Sequence, residues 1–327
     1  MLASLIVVSV LALMEAGLRV VGVAAPVRPR LILRLMDSDI TLPFMRADPD
    51  VFWSPVPGYS GEFMGKAVHI SSLGMRGPEI APSKPVGRRR LACFGDSITF
   101  GYGVGDEETY PHALGVELAG RGVETVNAGV TGFTSHQVRG FLRRVAPVVQ
   151  PDVVTVCVGW NDGTRRPVDD REYERRLRMV SGVDGTLDHL YLFRGMKAAY
   201  LRVAALRGID PAQGAQRKDY RVSIPQYREN LDAIVSECRQ RRIQPVFVAL
   251  PRRRMTGEPL VETPYAAVLI ETGKALGVPV LDSGDLGLGT TLPSNEPYFI
   301  DTLHLSPEGN QLLARLLARQ LMARGLL

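Results

Sequence analysis

Four short stretches, far apart in the chain, carry residue types that can do chemistry together: Gly95 to Ile98 (GDSI), Asn127 to Ser135 (NAGVTGFTS), Gly159 to Asp162 (GWND) and Asp301 to Asn310 (DTLHLSPEGN). A serine beside an acid and several glycines just after an apolar run has two uses, as a helix cap or as a nucleophile. For the second use Ser97 needs a base, and Asp301 and His304 stand three residues apart, a spacing that lets the carboxylate reach the imidazole on a turn. Asp301 would then hold one ring nitrogen while the other takes the Ser97 proton, and acyl transfer would follow. Such a step also needs donors for the negative charge that develops on a carbonyl oxygen. The Ser97 N–H, the Gly129 N–H and the Asn161 side-chain amide are the candidates. Each residue alone also reads as an ordinary turn, cap or solvated side chain.

These residues must be positioned by the elements between them. From Arg90 onward the chain repeats one pattern, an apolar run, a polar glycine-rich turn and an amphipathic helix. Strands are expected at Leu91 to Phe94, Glu124 to Asn127, VVTVCVGW, QPVFVALP and VPVLD, with helices near Tyr110 to Ala119, Ser135 to Val145, Tyr227 to Arg242, Tyr265 to Leu276 and Ser306 to Ala323. Alternation of this kind predicts an α/β fold, a parallel sheet with helices on both faces. Ser97, Gly129 and Asn161 then all fall at strand carboxyl ends, the edge where open α/β sheets bind ligands. Three consecutive strands ending in potential oxyanion donors are harder to dismiss than any one of them.

Composition excludes several other functions. With 45% hydrophobic and 22% charged residues the chain has a globular composition and not a disordered one. Its formal charge of +5 is spread through amphipathic segments, and no nucleic-acid module is present. The clusters Arg88 to Arg90 and Arg252 to Arg254 are expected to be solvated strand ends. Gly101 to Gly105 (GYGVG) lacks the spacing of a dinucleotide loop, and no Gly-Lys-Ser/Thr follows a glycine-rich loop. His69, His112, His136 and His189 show no metal-ligand spacing, so neither metal nor organic cofactor is expected. His136 is expected on a helix surface. Trp160 is expected to pack beside the cleft, and Arg165 and Arg166 to be exposed. Cys93, Cys157 and Cys238 read as buried free thiols.

Taken together, GDSI, the Gly129 segment, Asn161 in GWND and DTLHLSPEGN resemble the four sequence blocks of the SGNH hydrolases, also called GDSL esterases and lipases. The resemblance covers about residues 88 to 323. It implies a three-layer α/β/α sandwich with about five parallel strands, flavodoxin-like, and a serine esterase without cofactor. It further implies Ser97 as nucleophile, His304 and Asp301 as the rest of a triad, and the Ser97 N–H, Gly129 N–H and Asn161 as oxyanion hole. Ile98 stands where the namesake leucine is usual.

The division expected is a hydrophobic segment over 1–25, a lead-in with short strands over 26–87, of which Pro26 to Pro57 reads as linker, and the hydrolase domain over 88–327. An insertion at about 163–224 is expected to wall or cover the site. MLASLIVVSVLALM, extended to Ala25, reaches a bilayer span if Glu15 and Arg19 pair. An uncleaved anchor is the leading expectation, ahead of a cleaved signal and a soluble amphipathic helix. The first two place the protein in the cell envelope, outside the cytoplasm, as in exported members of the family. The substrate expected is an acetylated carbohydrate or lipid-type ester, and no nucleic acid. Two rival readings stay open, an O-acyltransferase acting on envelope polysaccharide and a noncatalytic binding module on a hydrolase scaffold.

Overall fold

The computed structural model describes residues 2–21, 42–82, 84–166, 168–175, 190–193, 196, 219–253, 263–284, 286–287 and 294–327. Ahead of the main sheet stand helix α1 (Leu2–Val21) and two antiparallel hairpins, β1 (Met45–Asp48) with β2 (Phe52–Pro55) and β3 (Ser60–Phe63) with β4 (Lys66–His69). The apolar runs between turn residues then form five parallel strands: β5 (Arg89–Gly95), β6 (Val123–Gly129), β7 (Val153–Cys157), β10 (Gln244–Val248) and β11 (Val280–Leu281). Their spatial order is β6-β5-β7-β10-β11, the flavodoxin-like doubly wound arrangement, with its switch point between β5 and β7.

Burial on both faces explains why these strands are continuously apolar. Ala92 and Phe94 enter one apolar cluster, Leu91 and Cys93 the other. The first is closed by α4 (Ser135–Val149), α5 (Ile224–Gln240) and α6 (Pro264–Leu276), through Phe141, Leu231 and Leu269. The second is closed by α3 (Tyr110–Glu117) and α7 (Pro307–Ala323), through Leu114, Leu313 and Leu317. Three α/β/α layers result. Truncating a fully buried leucine such as Leu317 to alanine should cost about 2–5 kcal/mol, transfer plus cavity.

The described part of the expected linker is not one. Phe44, Val51, Phe52 and Trp53 are buried in the cluster under α4 and α5. Arg76, just beyond β4, sends its buried guanidinium to the carbonyls of Phe100, Gly101 and Val104 at 2.5–2.6 Å and to Asp106 at 2.9 Å. It thereby ties the lead-in to the loop that follows Ser97. Arg90, expected to be solvated, is fully buried and bonds Glu124 and the carbonyls of Val149 and Ala81. The three cysteines are buried and free.

Most of the expected insertion lies outside the described residues. At its base, β8 (Arg165–Arg166) and β9 (Asp219–Tyr220) pair as an antiparallel ribbon, so the two ends of the segment meet. In α1 the apolar run stops at Met14. Glu15 accepts from Arg19 at 2.8 Å and from the backbone N–H groups of Tyr191 and Leu192 at 2.9 and 2.8 Å. Among the described residues no helix is long and apolar enough to cross a membrane, so the spanning anchor expected for residues 1–25 finds no support.

Candidate active site

The switch point places the end of β5 beside that of β7. At Gly95 a side chain would collide with Thr99 and the Cys157 carbonyl, so only glycine fits where Thr99 and β7 approach the end of β5 this closely. Asp96 caps the short helix α2 (Ser97–Phe100), its Oδ1 accepting from the Ile98 N–H at 3.0 Å. Ser97 is therefore the first residue of that helix, where an N–H has no partner within the helix. Its side chain is nearly buried and points to the carboxyl edge of the sheet.

The loop ahead of α7 meets it there. His304 Nε2 lies 2.9 Å from Ser97 Oγ, and His304 Nδ1 lies 2.7 Å from Asp301 Oδ2. The second Asp301 oxygen accepts the N–H groups of Leu303 and His304, each at 2.7 Å, which fixes the loop that carries the ring. Partial burial pushes the Asp301 carboxyl up, but the ring of His304 and these two N–H groups outweigh it and hold it below the usual carboxylate range. Tyr102 lies against the imidazole, ring centroids 4.5 Å apart, and packs on Phe63 of the lead-in at 5.3 Å.

Beneath lie two fully buried acids. Burial dominates at Asp96 and raises it to about 7, opposed by the Ile98 N–H and reinforced by the charge of Asp162. Burial likewise raises Asp162 to about 7 against its bonds from Ser135. Asp162 accepts the Ser135 N–H at 3.0 Å and its hydroxyl at 2.5 Å, tying the turn after β7 to the start of α4.

The expected donors are placed unequally. Asn161 Nδ2 reaches the Phe133 carbonyl at 3.0 Å and Asp96 Oδ2 at 3.3 Å, so its amide sits between the ends of β5 and β6. The Gly129 N–H instead donates to Asn127 Oδ1 at 3.0 Å. It is turned onto its own strand end and not offered to the cleft. The glycine that sequence reasoning passed over is Gly132, in the turn that follows. It has a φ of +79° and its N–H has no acceptor among the described residues. The signal was present in the same segment, a second glycine where a tight turn demands left-handed backbone. His136 is on the expected helix but mostly covered: it pairs with Glu174 at 3.0 Å and stacks on Phe52. Trp160 is 41% exposed. Arg165 lies over the Tyr220 ring and Arg166 over that of Trp53.

A family model described as GDSL-like lipase/acylhydrolase matches residues 93–312. No curated protein matches the sequence. Among solved structures, the chain is similar to a lipase/acylhydrolase from Enterococcus faecalis, with 21% identity, 72% of this chain and 96% of that one covered, and a TM-score of 0.47. It is similar also to the acetyl xylan esterase AlAXEase (16% identity, 71% and 98% covered, TM-score 0.46). A third is the esterase EstA from Pseudoalteromonas sp. (14% identity, 72% and 97% covered, TM-score 0.45).

Proposed function

The chain belongs to the GDSL-like lipase/acylhydrolase family and is an ester-hydrolysing enzyme, and from that premise we propose that it cleaves a carboxylic ester through an acyl intermediate on Ser97. The observation that carries this reading is the relay of two contacts, Ser97 Oγ to His304 at 2.9 Å and His304 to Asp301 at 2.7 Å. His304 Nε2 takes the Ser97 proton as the oxygen adds to the ester carbonyl. Asp301, held ionised, stabilises the imidazolium that forms. The oxyanion is received by the N–H of Ser97, the Asn161 amide and the N–H of Gly132, which replaces Gly129 in this role. The Asn161 bond to Asp96 is the longer of its two and is the one an oxyanion displaces. The alcohol departs with the proton from His304, and water activated by the same ring releases the acid.

For the substrate we take an acylated carbohydrate. Trp160, next in chain to Asn161, is a large exposed aromatic side chain of the kind sugars stack on. Release of acetate from acetylated glycans, run beside p-nitrophenyl esters of rising chain length, tests this. Acetate release with a preference for the shortest esters supports it. A preference for long chains and no action on glycans overturns it in favour of a lipid-type ester, and transfer of acetyl to a glycan would replace hydrolysis by acyl transfer.

We also place the enzyme at the cell envelope, held on a membrane by α1, whose Ile6, Leu13, Val20 and Val21 are exposed apolar side chains. Sedimentation with liposomes that is lost on deleting residues 1–25 is the expected result. Equal partition of the full and shortened chains contradicts it.

A further inference from the structure

The turn between β6 and α4 is gripped by residues that lie outside every catalytic motif. Trp53, in the amino-terminal hairpin and fully buried, donates its indole Nε1–H to the Thr131 carbonyl at 2.9 Å. A trans peptide is planar, with its carbonyl and N–H pointing opposite ways. Holding the Thr131 carbonyl therefore aims the N–H of Gly132, the other half of the same plane, away from the indole. That N–H belongs to a buried residue and meets no acceptor among the described residues. Buried donors left without a partner are rare, and one kept at the sheet edge that carries Ser97 is suited to a charge that appears only during reaction. The next peptide is held as well, since Arg221 Nη1 donates to the Gly132 carbonyl at 2.7 Å. The Arg221 guanidinium lies 5.5 Å from the Trp53 ring centroid and bonds buried Asp170, so the indole supports both grips.

We propose that Trp53 is a positioning residue for ester hydrolysis: its indole N–H fixes the peptide plane from which Gly132 offers its N–H to the tetrahedral oxyanion. The inference rests on the ester-hydrolase reading above and gives the amino-terminal hairpin a part in catalysis. A hairpin outside the sheet thereby sets the aim of a donor at its edge.

The test is Trp53→Phe, which keeps a ring under Arg221 and removes the donor together with part of the buried ring volume. Rates are expressed per active site titrated with a fluorophosphonate. Direct loss of an oxyanion donor costs about 10²–10³ in kcat, so an indirect misalignment should cost roughly tenfold, with KM and the pH profile of kcat unchanged. Val51→Ala, a cavity in the same hairpin, should lower Tm without changing kcat per site. A second measurement covers the case in which Trp53→Phe does not fold. The chain has two tryptophans, so the 15N indole spectrum of wild type holds two signals, assigned with Trp160→Phe. A phenylboronate adduct on Ser97 puts an oxygen in the hole and should shift the Trp53 signal. Wild-type kcat per site in Trp53→Phe, or a Trp53 signal unmoved by a formed adduct, overturns the proposal alone, provided that wild type is active and Ser97→Ala is not. Wild type with no esterase activity and no adduct overturns the underlying reading and the proposal with it.

Discussion

Asp301 and the Asp96–Asp162 pair are the same residue type a few residues from the same reacting atoms, yet their surroundings drive them in opposite directions. Asp301 sits on a partly open loop with three donors, and its carboxyl is held below the ordinary range. Asp96 and Asp162 lie in the fully buried floor, and desolvation raises each to about 7 despite several bonds. Only a carboxylate that stays ionised can work with its charge. An acid that must stabilise an imidazolium has to stay ionised, whereas an acid that braces a turn can be neutral and still accept hydrogen bonds.

Substitutions sharpen the contrast. Ser97→Ala should remove the nucleophile and lower kcat by about 10⁶-fold, measured with a p-nitrophenyl ester. Asp301→Asn should lower it by about 10⁴-fold, because the amide no longer stabilises the imidazolium. Asp96→Asn should lower it only about tenfold, because Asp96 orients the Asn161 amide in the resting site and releases it when the oxyanion arrives. Equal losses at 301 and 96 would break the comparison.

The pH dependence has opposite signs in the two regions. Asp301, lowered in the folded state, contributes stability above the ordinary carboxylate value that is lost as pH falls through its folded value. Asp96 and Asp162, raised from 3.8 to about 7, contribute stability that is complete below 3.8 and is lost as pH rises to about 7. Asp96→Asn should therefore flatten part of the decline in Tm across that window, a change of a few degrees in a thermal melt. A decline as steep as that of wild type would mean that burial does not govern this acid.

The sheet was legible in the sequence because its signal is local, and the meeting of Ser97, His304 and Asp301 because four blocks in order resemble those of the SGNH hydrolases. An apolar run with turn residues at its ends makes a covered strand wherever it falls, and the three residues sit at strand or helix ends whose chain order sets their edge. What was not legible depended on contacts between distant segments. NAGVTGFTS offers two glycines, and which of their N–H groups is left free is decided by the Asn127 side chain folding back onto Gly129. Phe52 and Trp53 lie in a stretch rich in proline, arginine and aspartate without periodicity, and only packing under α4 shows that they are core. Arg90 looked like a solvated cation because its partners, Glu124 and the carbonyls of Val149 and Ala81, are remote in sequence.

On the proposed mechanism a single serine hydroxyl, made reactive by an imidazole that a carboxylate holds in place, attacks the ester. Treating folded wild-type protein with a fluorophosphonate and mapping the adduct by peptide mass spectrometry addresses it most directly. One phosphonyl group per chain, on Ser97, lost in Ser97→Ala and greatly slowed in His304→Ala, is the predicted result. Folded protein that stays unmodified, or is modified equally well at another residue when Ser97 is absent, would contradict it.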